Sequence, residues 1–209
     1  MIPKNNVAYL QAAIDGDVQA AYMQRIADTD LDGIKELKRL TGVKPRFRNE
    51  DAQAIYAEQF EEFYPDFEEL KEIMGIAPEN DTVQECYIHA LETGNIDYAE
   101  RMKSFTGIAP DFSDEGMKTA VQKGYVVRIP DGLFTDPMEM KTFTGIMPDP
   151  SFEGMKEAVQ ECYKQYIRIQ YTPGIKILEE FTGIPPSPEL LKRYHKLMAP
   201  ARAMRTENV

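Results

Sequence analysis

The chain has 209 residues, with no tryptophan, two cysteines and two histidines. Two cysteines cannot build the disulfide framework of a small secreted domain. With no apolar leader at Met1-Ile2-Pro3-Lys4-Asn5-Asn6, they point to a reducing, cytoplasmic setting. No stretch approaches the roughly 20 apolar residues needed to cross a bilayer, so no membrane partner is expected. His89 and His195 lie far apart in sequence, and GxxxxGK[ST], HExxH, CxxC and GxSxG are all absent. No catalytic residue, metal or cofactor is therefore expected, and the chain reads as non-enzymatic. Lys and Arg number 24 against 35 Asp and Glu, a net charge of −11. That balance opposes broad nucleic-acid binding, which depends on neutralising phosphates.

What the chain does contain is a repeated motif. It reads Thr41-Gly42-Val43-Lys44-Pro45, Met74-Gly75-Ile76-Ala77-Pro78, Thr106-Gly107-Ile108-Ala109-Pro110, Thr144-Gly145-Ile146-Met147-Pro148 and Thr182-Gly183-Ile184-Pro185-Pro186. The glycines are 33, 32, 38 and 38 residues apart. A second motif, VQxxY, keeps step: Val18–Tyr22, Ala52–Tyr56, Val83–Tyr87, Val121–Tyr125 and Val159–Tyr163, with a weaker echo at Leu190–Tyr194. Its tyrosine precedes the motif glycine by 20 residues in four repeats and by 19 in the second. Such self-similarity marks repeats too small to bury an apolar face alone.

Each repeat reads as two helices. Positions −8, −5 and −2 from the motif glycine are apolar with few exceptions: Ile34, Leu37, Leu40; Phe67, Leu70, Ile73; Ala99, Met102, Phe105; Pro137, Met140, Phe143; Ile175, Leu178, Phe181. Steps of three keep them on one helix face. Glycine then ends the helix in the left-handed conformation and proline blocks continuation. The other helix carries VQxxY, and in the last two repeats Ser113 and Ser151 are expected to cap it. Breakers separate the two helices: Asp28-Thr29-Asp30, Tyr64-Pro65-Asp66, Thr93-Gly94-Asn95, Pro130-Asp131-Gly132 and Thr172-Pro173-Gly174. The expected fold is all-α, a solenoid of about five stacked helical hairpins of 33–38 residues. It forms one domain over residues 1–197, with units ending near 45, 78, 110, 148 and 186, capping helices and a tail over 198–209.

Paired helices of this length resemble the α-hairpin repeat families. His89-Ala90-Leu91-Glu92-Thr93-Gly94-Asn95-Ile96-Asp97 and Ala12-Ala13-Ile14-Asp15-Gly16-Asp17-Val18 are similar to the inner-helix ending of ankyrin repeats, although the TPLH signature is missing and the 38-residue copies are long. Met102–Asp111 more distantly resembles pentatricopeptide repeats, which bind RNA, although the spacings here are shorter and the net charge is of the wrong sign. The resemblance implies a binding scaffold and carries over no functional residue.

Three groups are candidate binding residues. Gln19, Gln53, Gln84, Gln122 and Gln160 share one position; they are either loop-bonding amides or a ladder gripping an extended ligand. Lys38, Lys71, Lys103 and Lys141 recur at position −4, where lysine also complements a helix C-terminus; Glu179 replaces it in the last repeat. Basic clusters occur at 44–48, with Arg46 and Arg48, and at 192–205, with Lys192, Arg193 and Arg202. The tyrosines read as core, with small residues before them. Asp28-Thr29-Asp30-Leu31-Asp32-Gly33 matches the start of a calcium loop, but its twelfth position is Arg39, so it reads as a cap. A protein partner bound by the repeat surface is the expectation. RNA or a ribonucleoprotein, such as a ribosome-associated particle, held by the basic clusters is the alternative.

Overall fold

The computed structural model describes residues 4–28, 30–61, 67–132 and 135–196, with side chains from Asp15 onward apart from those at 27, 31, 59–61, 67 and 68. Tyr64-Pro65-Asp66, Phe67's side chain, Thr29, Arg202 and the tail over 198–209 lie outside the described residues. Among those described there is no strand. The helices are α1 (Lys4–Ala27), α2 (Leu31–Thr41), α3 (Asn49–Glu61), α4 (Phe67–Met74), α5 (Asn80–Glu92), α6 (Ile96–Thr106), α7 (Glu115–Arg128), α8 (Thr135–Thr144), α9 (Met155–Arg168) and α10 (Thr172–Thr182). A 3₁₀ turn covers Ile129–Asp131, and a last helix, α11, covers residues 188–196. The all-α class read from the sequence holds, and no described helix is long and apolar enough to cross a membrane.

The motif glycine ends each second helix as its chemistry requires. Gly42, Gly75, Gly107, Gly145 and Gly183 have φ between 67° and 72°, a region that costs any residue with a Cβ. Four of them donate their N–H to the carbonyl four residues back, at Lys38, Lys71, Lys141 and Glu179, which satisfies an orphan acceptor. The threonine before the glycine works in both directions. Thr144 Oγ1 donates to Met140 O at 2.7 Å and accepts from Ile146 N at 3.1 Å. Thr41 and Thr182 do the same.

Packing divides the chain into two compact bodies, one of residues up to 86 with 104–108, the other of 87–103 with those from 109 onward. In the first, α1 packs on α2, and Tyr22, Ile26, Ile34, Tyr56, Leu70 and Val83 are buried. In the second, α7 packs on α8 and α9, and α9 on α10, around Tyr87, Met102, Tyr125, Met140, Tyr163 and Leu178. Position −5 is buried in four repeats, at Leu70, Met102, Met140 and Leu178. Leu40 departs from its expected place: it is 66% exposed.

Two local expectations are corrected. Ser113 and Ser151 do not cap helices. Each hydroxyl donates to an aspartate two residues earlier, Ser113 Oγ to Asp111 at 2.6 Å and Ser151 Oγ to Asp149 at 2.7 Å. The loop turns once on those aspartates first, so α7 is capped by Asp114, which accepts from Met117 N, and α9 begins after Gly154. Thr172-Pro173-Gly174 is not a break either. It opens α10, where proline's missing N–H costs nothing, and the break lies just before, where Gln170 has φ 58°.

Gly124 stands in the small series before the tyrosines. A Cβ there would lie 2.1 Å from the Leu91 carbonyl oxygen and 2.6 Å from Met140 Cε. In an exposed helix interior Gly→Ala gains roughly 1 kcal/mol. Here the contact with backbone reverses the sign, and Gly124→Ala is expected to cost about 1–3 kcal/mol, read as a lower urea midpoint at constant slope. A raised midpoint contradicts the close approach.

Candidate binding surface

Every motif loop poses one backbone problem. Proline has no N–H, and the residues flanking it leave a carbonyl and an N–H without helical partners. The VQxxY helix answers with one amide and one phenol. Gln122 Nε2 donates to Met147 O at 2.9 Å, and Asp149 N donates to Gln122 Oε1 at 2.7 Å, so the amide spans Pro148. Gln160 spans Pro186 through Pro185 O and Ser187 N. Gln53 spans Pro78 through Ala77 O and Glu79 N, and Gln19 spans Pro45 through Lys44 O and Arg46 N. The tyrosine hydroxyl donates to the carbonyl one residue past the glycine: Tyr22 to Val43, Tyr56 to Ile76, Tyr125 to Ile146 and Tyr163 to Ile184, at 2.6–2.8 Å. Gln84 shares the position, with Nε2 3.4 Å from Asn80 Oδ1.

Gln19, Gln53, Gln122 and Gln160 are therefore parts of a clamp. What the clamp holds outward is the loop tip. The residue before proline is Lys44, Ala77, Ala109, Met147 or Pro185, and all are exposed. The residue after it is Arg46, Glu79, Asp111, Asp149 or Ser187, of which only Ser187 is half-buried.

The lysine series lies on the second helices, with Lys38, Lys71 and Lys103 exposed and Lys141 half-buried. The structure adds a partner that the sequence reading missed. Lys71 Nζ stands 5.9 Å over the Phe105 ring and Lys103 Nζ 5.8 Å over Phe143. Position −4 of one repeat thus meets position −2 of the next, as a cation over the negative face of a ring. The signal was in the sequence: three of the four lysine-bearing repeats precede a phenylalanine at −2.

In the first basic cluster, Arg48 makes a two-pronged pair with Asp51 at 3.0 Å on each arm, while Lys44 and Arg46 are exposed. Lys192, Arg193 and Lys196 are exposed on α11. In the calcium-like string, Asp30 caps α2 by accepting from Gly33 N and pairs with Arg25. Arg39 pairs with Glu36. Among the described residues no three His, Cys, Asp or Glu side chains are grouped to hold a metal ion. Cys86 and Cys162 are both buried and unpaired with each other, and burial pushes the Cys162 thiol up to about 11.

Two measurements check the clamp. Gln122→Met keeps the side-chain length and strands Met147 O and Asp149 N, at an expected cost of about 1–3 kcal/mol. An unchanged melting temperature returns the amide to the pool of ligand-binding groups. The second is alkaline unfolding. Burial holds the phenols of Tyr87, Tyr125 and Tyr163 above the ordinary tyrosine range. The unfolded chain releases such protons near pH ~10, and the folded chain keeps them. Stability is thus untouched below that pH and falls as pH rises beyond it. Phenolate absorbance of these tyrosines is expected to appear together with loss of helical circular dichroism, and their titration near pH 10 in a still-folded protein contradicts it.

No protein-family model, no curated protein and no solved structure matches this chain.

Proposed function

We propose that this protein is a non-enzymatic scaffold that binds another protein through the exposed faces of its repeats. In this reading the repeats form one row of five ankyrin-like helical hairpins, an α-solenoid, with α11 opening a sixth. One observation carries it. The groups that recur, Gly, Thr, Gln and Tyr, spend their polar atoms on the loop backbone, while the loop-tip residues beside them differ from repeat to repeat. A rigid frame with variable exposed positions is what recognition of a specific surface uses, because pre-ordered groups lose little entropy on binding. Lys38, Lys71 and Lys103 add a row of cations partly anchored on rings.

Recovery of partners from native lysate, with and without nuclease, tests the reading. A protein partner is expected to survive nuclease. Replacing Lys38, Lys71, Lys103 and Lys141 together by Ala is expected to weaken it by roughly tenfold, about 1.4 kcal/mol. Lys192, Arg193 and Lys196→Ala is expected to leave it unchanged. Loss of the partner with nuclease overturns the reading in favour of RNA or a ribonucleoprotein. So does a salt dependence near 0.7 log units per decade for each phosphate contacted.

A further inference from the structure

Only the first motif loop is basic on both sides of its proline. At +2 and +4 from the motif glycine stand Lys44 and Arg46. The later loops carry Ala77 and Glu79, Ala109 and Asp111, Met147 and Asp149, and Pro185 and Ser187. In those loops the side chain at +4 serves the protein's own structure. Glu79 accepts from Asn49 Nδ2 at 2.6 Å. Asp111 and Asp149 accept from Ser113 and Ser151, and Ser187 Oγ lies 3.4 Å from Leu190 N. Arg46 gives the loop only its backbone N–H. Among the described residues neither its guanidinium nor the Lys44 ammonium has a hydrogen bond or an ion pair.

Both cations are nevertheless mounted on a fixed backbone. Gln19 holds Lys44 O and Arg46 N, Tyr22 holds Val43 O, and Pro45 fixes φ between them. Lys44 and Arg46 line one open concavity of about 720 Å³, together with Thr41–Val43 and Asp15 of α1. Their exposure is a property of the loop tip. Ala77 and Glu79 are exposed, and so are Met147 and Asp149, although repeats precede and follow them.

We propose that this concavity docks an acidic segment of the partner protein, through two carboxylates at alternate positions of an extended chain. Alternate residues of an extended segment share a face. One carboxylate meets the Arg46 fork in a bidentate pair, and the other meets the Lys44 ammonium. A loop already held in place loses little entropy on docking. The positive charge is too local for a nucleic-acid backbone. Arg48 is committed to Asp51, Glu50 and Asp51 stand in the first turn of α3, and Asp15 shares the concavity. Two carboxylates match the two free cations, whereas a run of phosphates would extend onto those acids.

The inference rests on the protein-binding reading and is tested separately from it. The probe is a Ser/Gly-based peptide carrying Glu-Ser-Glu, followed by nuclear magnetic resonance of the isotope-labelled full chain. It is titrated to about millimolar concentration, because two exposed ion pairs bind weakly. Saturable shifts are expected at the backbone amides of Gly42, Val43 and Arg46, and none with Gln-Ser-Gln in its place. Lys44→Ala with Arg46→Ala is expected to weaken binding by roughly tenfold, Arg46→Lys to weaken it less, and Arg48→Ala to leave it unchanged. Neither free side chain supports the fold, so an unchanged melting temperature is expected for the double variant. Absence of shifts with the Glu peptide, or equal shifts with the Gln peptide, overturns the proposal. Tighter binding of an oligouridylate at the same amides, with a salt slope of about 0.7 log units per decade for each phosphate, overturns it in favour of a phosphate site. Concentration-dependent self-association that the double substitution abolishes overturns it too, by making an acidic face of a second copy the occupant. A nuclease-resistant partner that binds the double variant undiminished sinks this site alone, whereas a partner lost with nuclease sinks the protein-binding reading beneath it.

Discussion

Proline's missing N–H is the constraint from which this structure is built. It stops each second helix cleanly, but it leaves the chain around it short of a donor and holding an unpartnered carbonyl and N–H. A single primary amide is one of few side chains able to answer both, since it carries a donor and an acceptor side by side. Gln19, Gln53, Gln122 and Gln160 use both ends in the same way across the proline. The tyrosine one turn further on takes the next carbonyl. Unmade, each of those bonds would cost more than the bond itself contributes.

The clamp also fixes what the helices do. A loop held at three backbone atoms sets the angle at which the chain enters the next helix. The fully buried tyrosine ring then becomes a core residue whose polar end is satisfied, the usual condition for burying a phenol. Close approach follows from the small residues before it, most severely at Gly124, where the Leu91 carbonyl occupies the space a Cβ would need. Lysine at −4 is drawn to the ring at −2 of the next repeat, so a residue that complements a helix end also helps join repeats.

At the groove beside α11 the same logic changes sign. Glu179 replaces the cation and Leu191 the amide, and the surface becomes apolar with an acid in it. Glu179 belongs to the fifth repeat, whose clamp Gln160 is intact, and Leu191 to the helix that follows it, so the two exchanges meet only across the groove between α10 and α11.

Much of this was legible from the residues alone. The glycine at each helix end, the helical class and the small residues near the tyrosines follow from local rules that act within a few residues: steric limits on φ, the period of a helix, and proline's missing donor. The start of α7 and α9 was not, because Asp111 and Asp149 win the serines for a turn before the helix begins. Nor was the opening of α10, where Pro173 reads equally well as a breaker and as a first-turn residue. Leu40 carries the right periodicity yet is exposed, since periodicity says which face is apolar but not whether anything covers it. Only the tertiary structure decided that the glutamines bond the loops about 25 residues away, that lysine meets phenylalanine in the next repeat, and that Glu179 and Leu191 share a groove. These depend on which atoms lie within hydrogen-bond or contact distance across repeats, and spacing along a chain does not carry that distance.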